Sequence, residues 1–246
     1  MTNSITNQNF LDKQVVVIGG TSGIGQAIAN GFAMAGASVK ATGATEAEVT
    51  KATSQDACGV DFECLDIRSN QAVSRFFSQL TQLHVLVNCA GVIKRAEEHD
   101  LDTFASVVDI NLTGAMRTSS CAISLLTESR GCIINTASML SFFGGGLVPA
   151  YSASKGGISQ LTKSLAIAHA KAGIRVNAVA PGWIATPLTQ ALQQDPERSG
   201  FILNRTPMGR WGEPKDVVGP VLFLASEAAQ FVTGVILPVD GGYLIS

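Results

Sequence analysis

The run Gly19-Gly20-Thr21-Ser22-Gly23-Ile24-Gly25 constrains this chain more than any other stretch. It follows directly on residues 14–18, Gln-Val-Val-Val-Ile, a short β-branched segment that reads as a buried strand. It leads into residues 26–35, where Ile28, Ala29, Phe32 and Ala33 recur at helical spacing until Gly36 stops the helix. Strand, glycine turn and helix in that order present backbone N–H groups and a helix N-terminus to one point, a seat for phosphate. Glycine is needed there because a β-carbon would block the turn or hold a pyrophosphate away. The spacing is Gly-x-x-x-Gly-x-Gly, not the Gly-x-Gly-x-x-Gly of the usual dinucleotide fingerprint. A tight turn without a ligand therefore stays open as the alternative.

The pattern continues along the chain. Strands are expected at residues 38–42, 61–65, 85–87, 131–136, 174–179 and 235–239. Helices are expected at residues 46–52, 69–79, 103–126, 151–171 and 214–225. Strands alternating with helices argue for a parallel, doubly wound α/β sheet in a single domain covering residues 11–246. Residues 1–10 read as a flexible leader. Residues 184–211, with Thr186-Pro187, Asp195-Pro196 and Thr206-Pro207, read as an irregular, mobile lid over an apolar pocket.

Of 246 residues, 46% are hydrophobic and 15% charged, and the net charge is −2, so a large core is affordable and nucleic acid or an anionic membrane is an unsuitable partner. No apolar stretch approaches the roughly 20 residues of a membrane span. The cysteines, Cys58, Cys64, Cys89, Cys121 and Cys132, are scattered, which predicts reduced, mostly buried thiols. His84, His99 and His169 do not cluster, and no metal is expected. The expected location is the cytoplasm.

Several positions carry chemistry. Tyr151 and Lys155 are four apart and share one helix face, where an ammonium would pull a phenol toward neutrality and let it exchange a proton with an alcohol oxygen. Ser138 follows the fifth strand at the carboxyl edge, where open α/β sheets bind ligands. Asn111 lies inside a helix, where asparagine is unfavourable, so another task is expected. Asn88-Cys89-Ala90-Gly91 ends the fourth strand in small residues that leave room for a ribose. Asp66 could accept from an adenine amino group or cap the next helix. After the second strand no carboxylate occurs before Glu46 and no arginine replaces it, and Lys40 is expected to point elsewhere. Thr42, Thr45 and Ser22 could then donate to a 2′-phosphate, which favours NADP(H) over NAD(H).

In this order and spacing, Gly19-x-x-x-Gly23-Ile24-Gly25, Asn88-Cys89-Ala90-Gly91, Asn111, Ser138, Tyr151-x-x-x-Lys155, Pro181-Gly182 and Asp240-Gly241-Gly242 resemble the short-chain dehydrogenase/reductase family over residues 11–243. The resemblance implies a Rossmann fold of seven parallel strands. It implies Tyr151 as general acid/base, Lys155 as its tuner and ribose anchor, Ser138 on the substrate oxygen, and Asn111 positioning a water that links Lys155 to solvent. Asp66 would hold the adenine, Asn88 and Gly91 the ribose, and Thr186 the carboxamide. Thr21, Ile67, Ala90, Pro181, Gly182 and Ile184 would complete the cofactor's lining. A homotetramer or homodimer is implied, with the helices around Asn111 and Lys155 at one interface. Ile18 stands where the family usually has threonine. Cys89 replaces an asparagine and His84 an aspartate, both expected to soften local hydrogen bonding. The small residues after the second strand are similar to those of 3-oxoacyl-acyl-carrier-protein reductases.

The implied function is hydride transfer between nicotinamide and a carbonyl or secondary alcohol, with a small molecule as substrate. A catalytically silent NAD(P)-binding redox sensor is the rival from another class. A sugar or polyol dehydrogenase using NAD is the rival among enzymes; a lyase or epimerase would need a longer substrate region. Met139, Phe142, Phe143, Trp183, Leu188, Met208 and Trp211 are the expected pocket walls. No arginine is placed by sequence alone to grip a carboxylate, although Arg95, Arg205 and Arg210 could approach.

Overall fold

The computed structural model describes residues 10–246; most of the expected leader lies outside the described residues. Phe10 belongs to the core, edge-on to Phe32 at 4.9 Å between ring centroids. The elements run β1 (Gln14–Ile18), α1 (Gly23–Met34), β2 (Ser38–Gly43), α2 (Glu46–Gln55), β3 (Asp61–Cys64), α3 (Asn70–Ser78), β4 (Val85–Asn88) and α4 (Leu101–Val108). After a π-helical turn (Asp109–Thr113) come α5 (Gly114–Ser129), β5 (Cys132–Thr136), α6 (Pro149–His169), β6 (Arg175–Pro181), α7 (Gln190–Gln193), α8 (Pro196–Arg205), α9 (Pro214–Ala225) and β7 (Ile236–Val239).

The seven strands form one parallel sheet in the order β3-β2-β1-β4-β5-β6-β7. Successive side chains of a strand point to opposite faces, so the unbroken Val15-Val16-Val17-Ile18 run feeds two cores. Val15 and Val17 pack with Ile28 and Phe32 of α1 and Val217 and Val221 of α9. Val16 and Ile18 pack with Phe76 of α3, Leu126 of α5 and Leu165 of α6. Each such side chain contributes about 1.5–3 kcal/mol by leaving water. Strand order reverses between β1 and β4, and the diverging connections open a crevice at their carboxyl ends.

Three expectations need correction. Residues 184–211 are not irregular: Asp195 caps α8 by accepting from the N–H groups of Glu197 and Arg198, and Pro196 takes its first position, where no donor is needed. The thiols are not mostly buried; only Cys132 is, and the other four are part-exposed and free. His84 does not loosen its surroundings, because its Nδ1 accepts from the Gln14 N–H at 3.0 Å. Burial and nearby Lys13 hold its pKa below the usual histidine value, which keeps that nitrogen an acceptor.

Candidate active site

The crevice at the switch point encloses about 570 Å³ and runs from Asp66 and Arg68 to Tyr151, Lys155 and Thr186. Its floor is the glycine turn. Gly19 and Gly23 have φ of +77° and +54°, the left-handed region that side chains avoid. A β-carbon on Gly25 would lie 2.0 Å from the Gly19 carbonyl oxygen, so α1 begins hard against the turn. Ser22, the N-cap of α1, makes no side-chain capping bond, which leaves the helix's first N–H groups to a ligand. Such a cradle fits the pyrophosphate of a dinucleotide. Thr21, Ser22, Ile24, Ala90, Gly91, Ile67 and Leu188 also line it.

The other expected cofactor contacts divide between the crevice, which Thr42 and Asp66 line, and the body of the fold. The Thr42 hydroxyl accepts from the Gly19 N–H at 3.3 Å and lines the crevice, and Thr45 caps α2 by accepting from the Glu48 N–H at 3.3 Å; each bond uses the oxygen as acceptor and leaves the O–H proton to donate. The Asn88 amide lies under the sheet edge, donating to Ser119 and Asn135 and accepting from Thr118. Pro181 is buried, Gly182 abuts Asp240 of the β7 end, and Ile184 packs in the core. Asp66 caps no helix; Ser69 caps α3, while Asp66 pairs with Arg68, whose guanidinium pulls the carboxyl's pKa down.

Two crevice residues lie beyond what the sequence reading found. Arg68 supplies the arginine thought absent. Glu48 supplies the missing carboxylate: it folds back from α2, accepts from the Ala44 N–H at 2.8 Å and lines the crevice at the end of β2. Lys40 does turn away, bridging Asp61 and Glu63.

At the other end the four expected catalytic residues converge. Ser138 lies near enough to Tyr151 for its hydroxyl to act on the phenol, and its Oγ accepts from the Leu140 N–H at 3.2 Å. Lys155 is buried, with Nζ 2.6 Å from the Thr136 carbonyl and 5.5 Å from the Tyr151 ring centre. The phenol's net shift runs upward. Burial is the largest influence and pushes the Tyr151 pKa above its usual value, against a smaller lowering by Ser138. Burial also drives the Lys155 pKa down to about 8. The Asn111 amide clamps the backbone of Val92 through two 2.8 Å bonds and reaches Ser154 at 3.3 Å; it sits in the π-helical turn, so the wide turn aims this side chain inward.

Glu98, absent from the sequence reading, is 1% exposed and accepts from the Lys94 and Tyr151 N–H groups, each at 2.8 Å. It satisfies an orphan donor in the first turn of α6, from a residue too distant in sequence to be recognised. Glu98→Ala is expected to cost about 2–3 kcal/mol of stability. It should also lower kcat roughly 10-fold, by loosening the turn that carries Tyr151, with cofactor Kd little changed. Melting curves and steady-state kinetics would check both.

The expected pocket walls divide. Leu188 lines the crevice mouth. Trp183 and Met208 line a second cavity of about 580 Å³. Phe143, Trp183, Trp211 and Tyr243 form an aromatic cluster with centroids 6.0–6.3 Å apart. Met139 is buried and Phe142 exposed.

Comparison with known proteins agrees with this geometry. A family model described as enoyl-(acyl carrier protein) reductase matches residues 19–244. The 2-dehydro-3-deoxy-D-gluconate 5-dehydrogenase of Pseudoalteromonas atlantica is 42% identical, over 94% of this chain and 96% of its own. The protein of the same name from Escherichia coli is 40% identical, over 94% and 95%. A solved structure from Agrobacterium tumefaciens, provisionally described as a 2-deoxy-D-gluconate 3-dehydrogenase and holding NADP, superposes with a TM-score of 0.90 at 38% identity, over 98% of this chain and 100% of that one. With the sheet order, the glycine cradle and the meeting of Ser138, Tyr151 and Lys155, these matches place the chain in the short-chain dehydrogenase/reductase family, as an NAD(P)-dependent oxidoreductase acting on CH–OH groups.

Proposed function

We propose that the protein interconverts a secondary hydroxyl and a ketone on a polyhydroxy carboxylic acid. The observation that carries this reading is the convergence of Ser138, Tyr151 and Lys155 at one end of a dinucleotide-shaped crevice. The relatives' sugar-acid names support the substrate class. The nicotinamide, when bound, supplies the hydride chemistry. Ser138 donates to the substrate oxygen and orients it. Tyr151, kept protonated at neutral pH by burial, gives its proton to that oxygen in reduction and takes it back in oxidation. Lys155 would hold the ribose and place positive charge beside the phenol as it ionises. The Asn111 clamp on Val92 would hold the crevice wall that faces Lys155.

The crevice's adenosine end supports both cofactors, with a bias. Arg68 is neutralised by Asp66, whereas Glu48 has no cationic partner among the described residues. The excess negative charge opposes a 2′-phosphate and suits a ribose diol. The preference for NADP(H) read from the sequence rested on a missing carboxylate, and Glu48 shifts the balance to NAD(H). The NADP held by the Agrobacterium relative supports NADP(H) as the secondary cofactor. Oxidation of 2-dehydro-3-deoxy-D-gluconate, D-gluconate and neutral polyols with NAD⁺ and NADP⁺ tests the reading. Turnover of an acid supports it; turnover of neutral alcohols alone overturns the substrate class. Glu48→Gln should raise the NADP⁺/NAD⁺ ratio of kcat/KM about 10-fold, the scale of one charge contact.

The same reading includes a homo-oligomer. Leu101 of α4, Met116 of α5 and Ile167 of α6 are large apolar side chains left 83%, 40% and 80% exposed on helices flanking the site, which supports burial against a second copy. It also includes a cytoplasmic location, supported by the unpaired cysteines. No helix among the described residues is long and apolar enough to cross a membrane.

A further inference from the structure

We infer that Arg205 is the seat of the substrate's carboxylate. The inference rests on the sugar-acid reading above and assigns that acid's charge to one residue. Arg205 ends α8 and is part-buried. Its guanidinium carbon lies 4.3 Å over the Tyr243 ring centre and 5.6 Å over that of Phe143. Among the described residues its guanidinium's only acceptor is the Tyr243 hydroxyl, at 3.4 Å from Nη1.

Every other arginine that is not fully exposed has a better acceptor. Arg117 holds Asp109, and Arg175 donates to the carbonyls of Leu224, Ala225 and Ser226. Arg210, the other candidate on this side, is committed to Asp216, and Arg95 is exposed. Among the described residues no carboxylate lies in ion-pair range of Arg205. A guanidinium resting on aromatic faces keeps its rim of N–H donors free and in one plane, the geometry that forks a carboxylate. Desolvating such a cation without an anion is unfavourable, so the position is suited to one that arrives with the substrate.

The cluster's position completes the argument. Phe143 follows Ser138 by five residues, and Trp183, which packs on Tyr243 at 6.2 Å, follows directly on the β6 end. Arg205 therefore stands at the carboxyl edge of β5, β6 and β7. The dinucleotide crevice takes the ends of β1, β2, β3 and β4. That leaves the β5–β7 side to the other reactant, next to the crevice end that Thr136 at the close of β5, Tyr151 and Lys155 line.

The test compares 2-dehydro-3-deoxy-D-gluconate and D-gluconate with their primary amides, in the wild type, Arg205→Gln and Arg205→Lys. The expected result is a fall of roughly 30-fold in the acid-to-amide ratio of kcat/KM in Arg205→Gln, mostly through KM, as for a lost charge-assisted hydrogen bond. Arg205→Lys should recover part of the ratio, since it keeps the charge and loses the fork. Equal losses for acid and amide in Arg205→Gln, or an unchanged ratio, would overturn the assignment while leaving the sugar-acid reading intact. If Arg205→Gln does not fold, Arg205→Lys decides: an undiminished preference for the acid, with no rise in KM, refutes the forked contact. A wild type that turns over neither acid refutes the underlying reading, and the inference with it.

Discussion

Replacing Tyr151 with phenylalanine is expected to lower kcat by about 10³-fold while leaving cofactor Kd within a factor of a few. The phenyl ring keeps its packing and its place beside Lys155 Nζ; only the hydroxyl, the group that exchanges the proton, is lost. The pH dependence should change with it. Burial raises the phenol's pKa, so the group is protonated through the neutral range and deprotonates only under alkaline conditions. In the wild type, alcohol oxidation, which needs the base form, should accelerate as pH rises above neutrality, and carbonyl reduction, which needs the acid form, should not. In Tyr151→Phe the residual oxidation should lose that rise. Fluorescence titration of cofactor binding and initial rates between pH 6 and pH 10 would check both expectations, the window following from the roughly pH 10 ionisation of an ordinary phenol.

A single added methyl group at Gly25 is expected to weaken dinucleotide binding by roughly 100-fold, the equivalent of losing one or two charge-assisted contacts to phosphate. The new β-carbon would meet the Gly19 carbonyl oxygen at 2.0 Å, and that oxygen is backbone, so the turn or the start of α1 must move. Either movement tilts the uncapped N–H groups of α1 away from the crevice floor. Gly200 is the control, since nothing lies near the position its β-carbon would take. Calorimetric titration with NAD⁺ would show Gly25→Ala impaired and Gly200→Ala close to wild type.

Much of this arrangement was legible in the sequence, for identifiable reasons. Local signals that agree with the global fold were read well: the β-branched runs of β1, β4 and β5, the glycine turn, and the one-turn spacing of Tyr151 and Lys155. Residues 184–211 are more regular than their three X-Pro steps suggest, because Asp195 and Pro196 start a helix rather than break one. Glu98 and Arg68 could not be found, since their roles depend on contacts made by folding. Glu48 was missed for a related reason. Its carboxylate acts four residues upstream of its own backbone, at Ala44, and a linear reading looked for an acid at the strand end itself. The wide turn at Asp109–Thr113 left no mark beyond an asparagine in an unfavourable place.

A crystal structure with NAD⁺ and a substrate acid bound tests the central claim most directly. The expected result places the pyrophosphate on the Ser22 end of α1, with the reacting carbon about 3.5 Å from the nicotinamide and its oxygen about 3 Å from the hydroxyls of both Ser138 and Tyr151. A nicotinamide lying away from Tyr151, or a substrate oxygen held by neither hydroxyl, would contradict it.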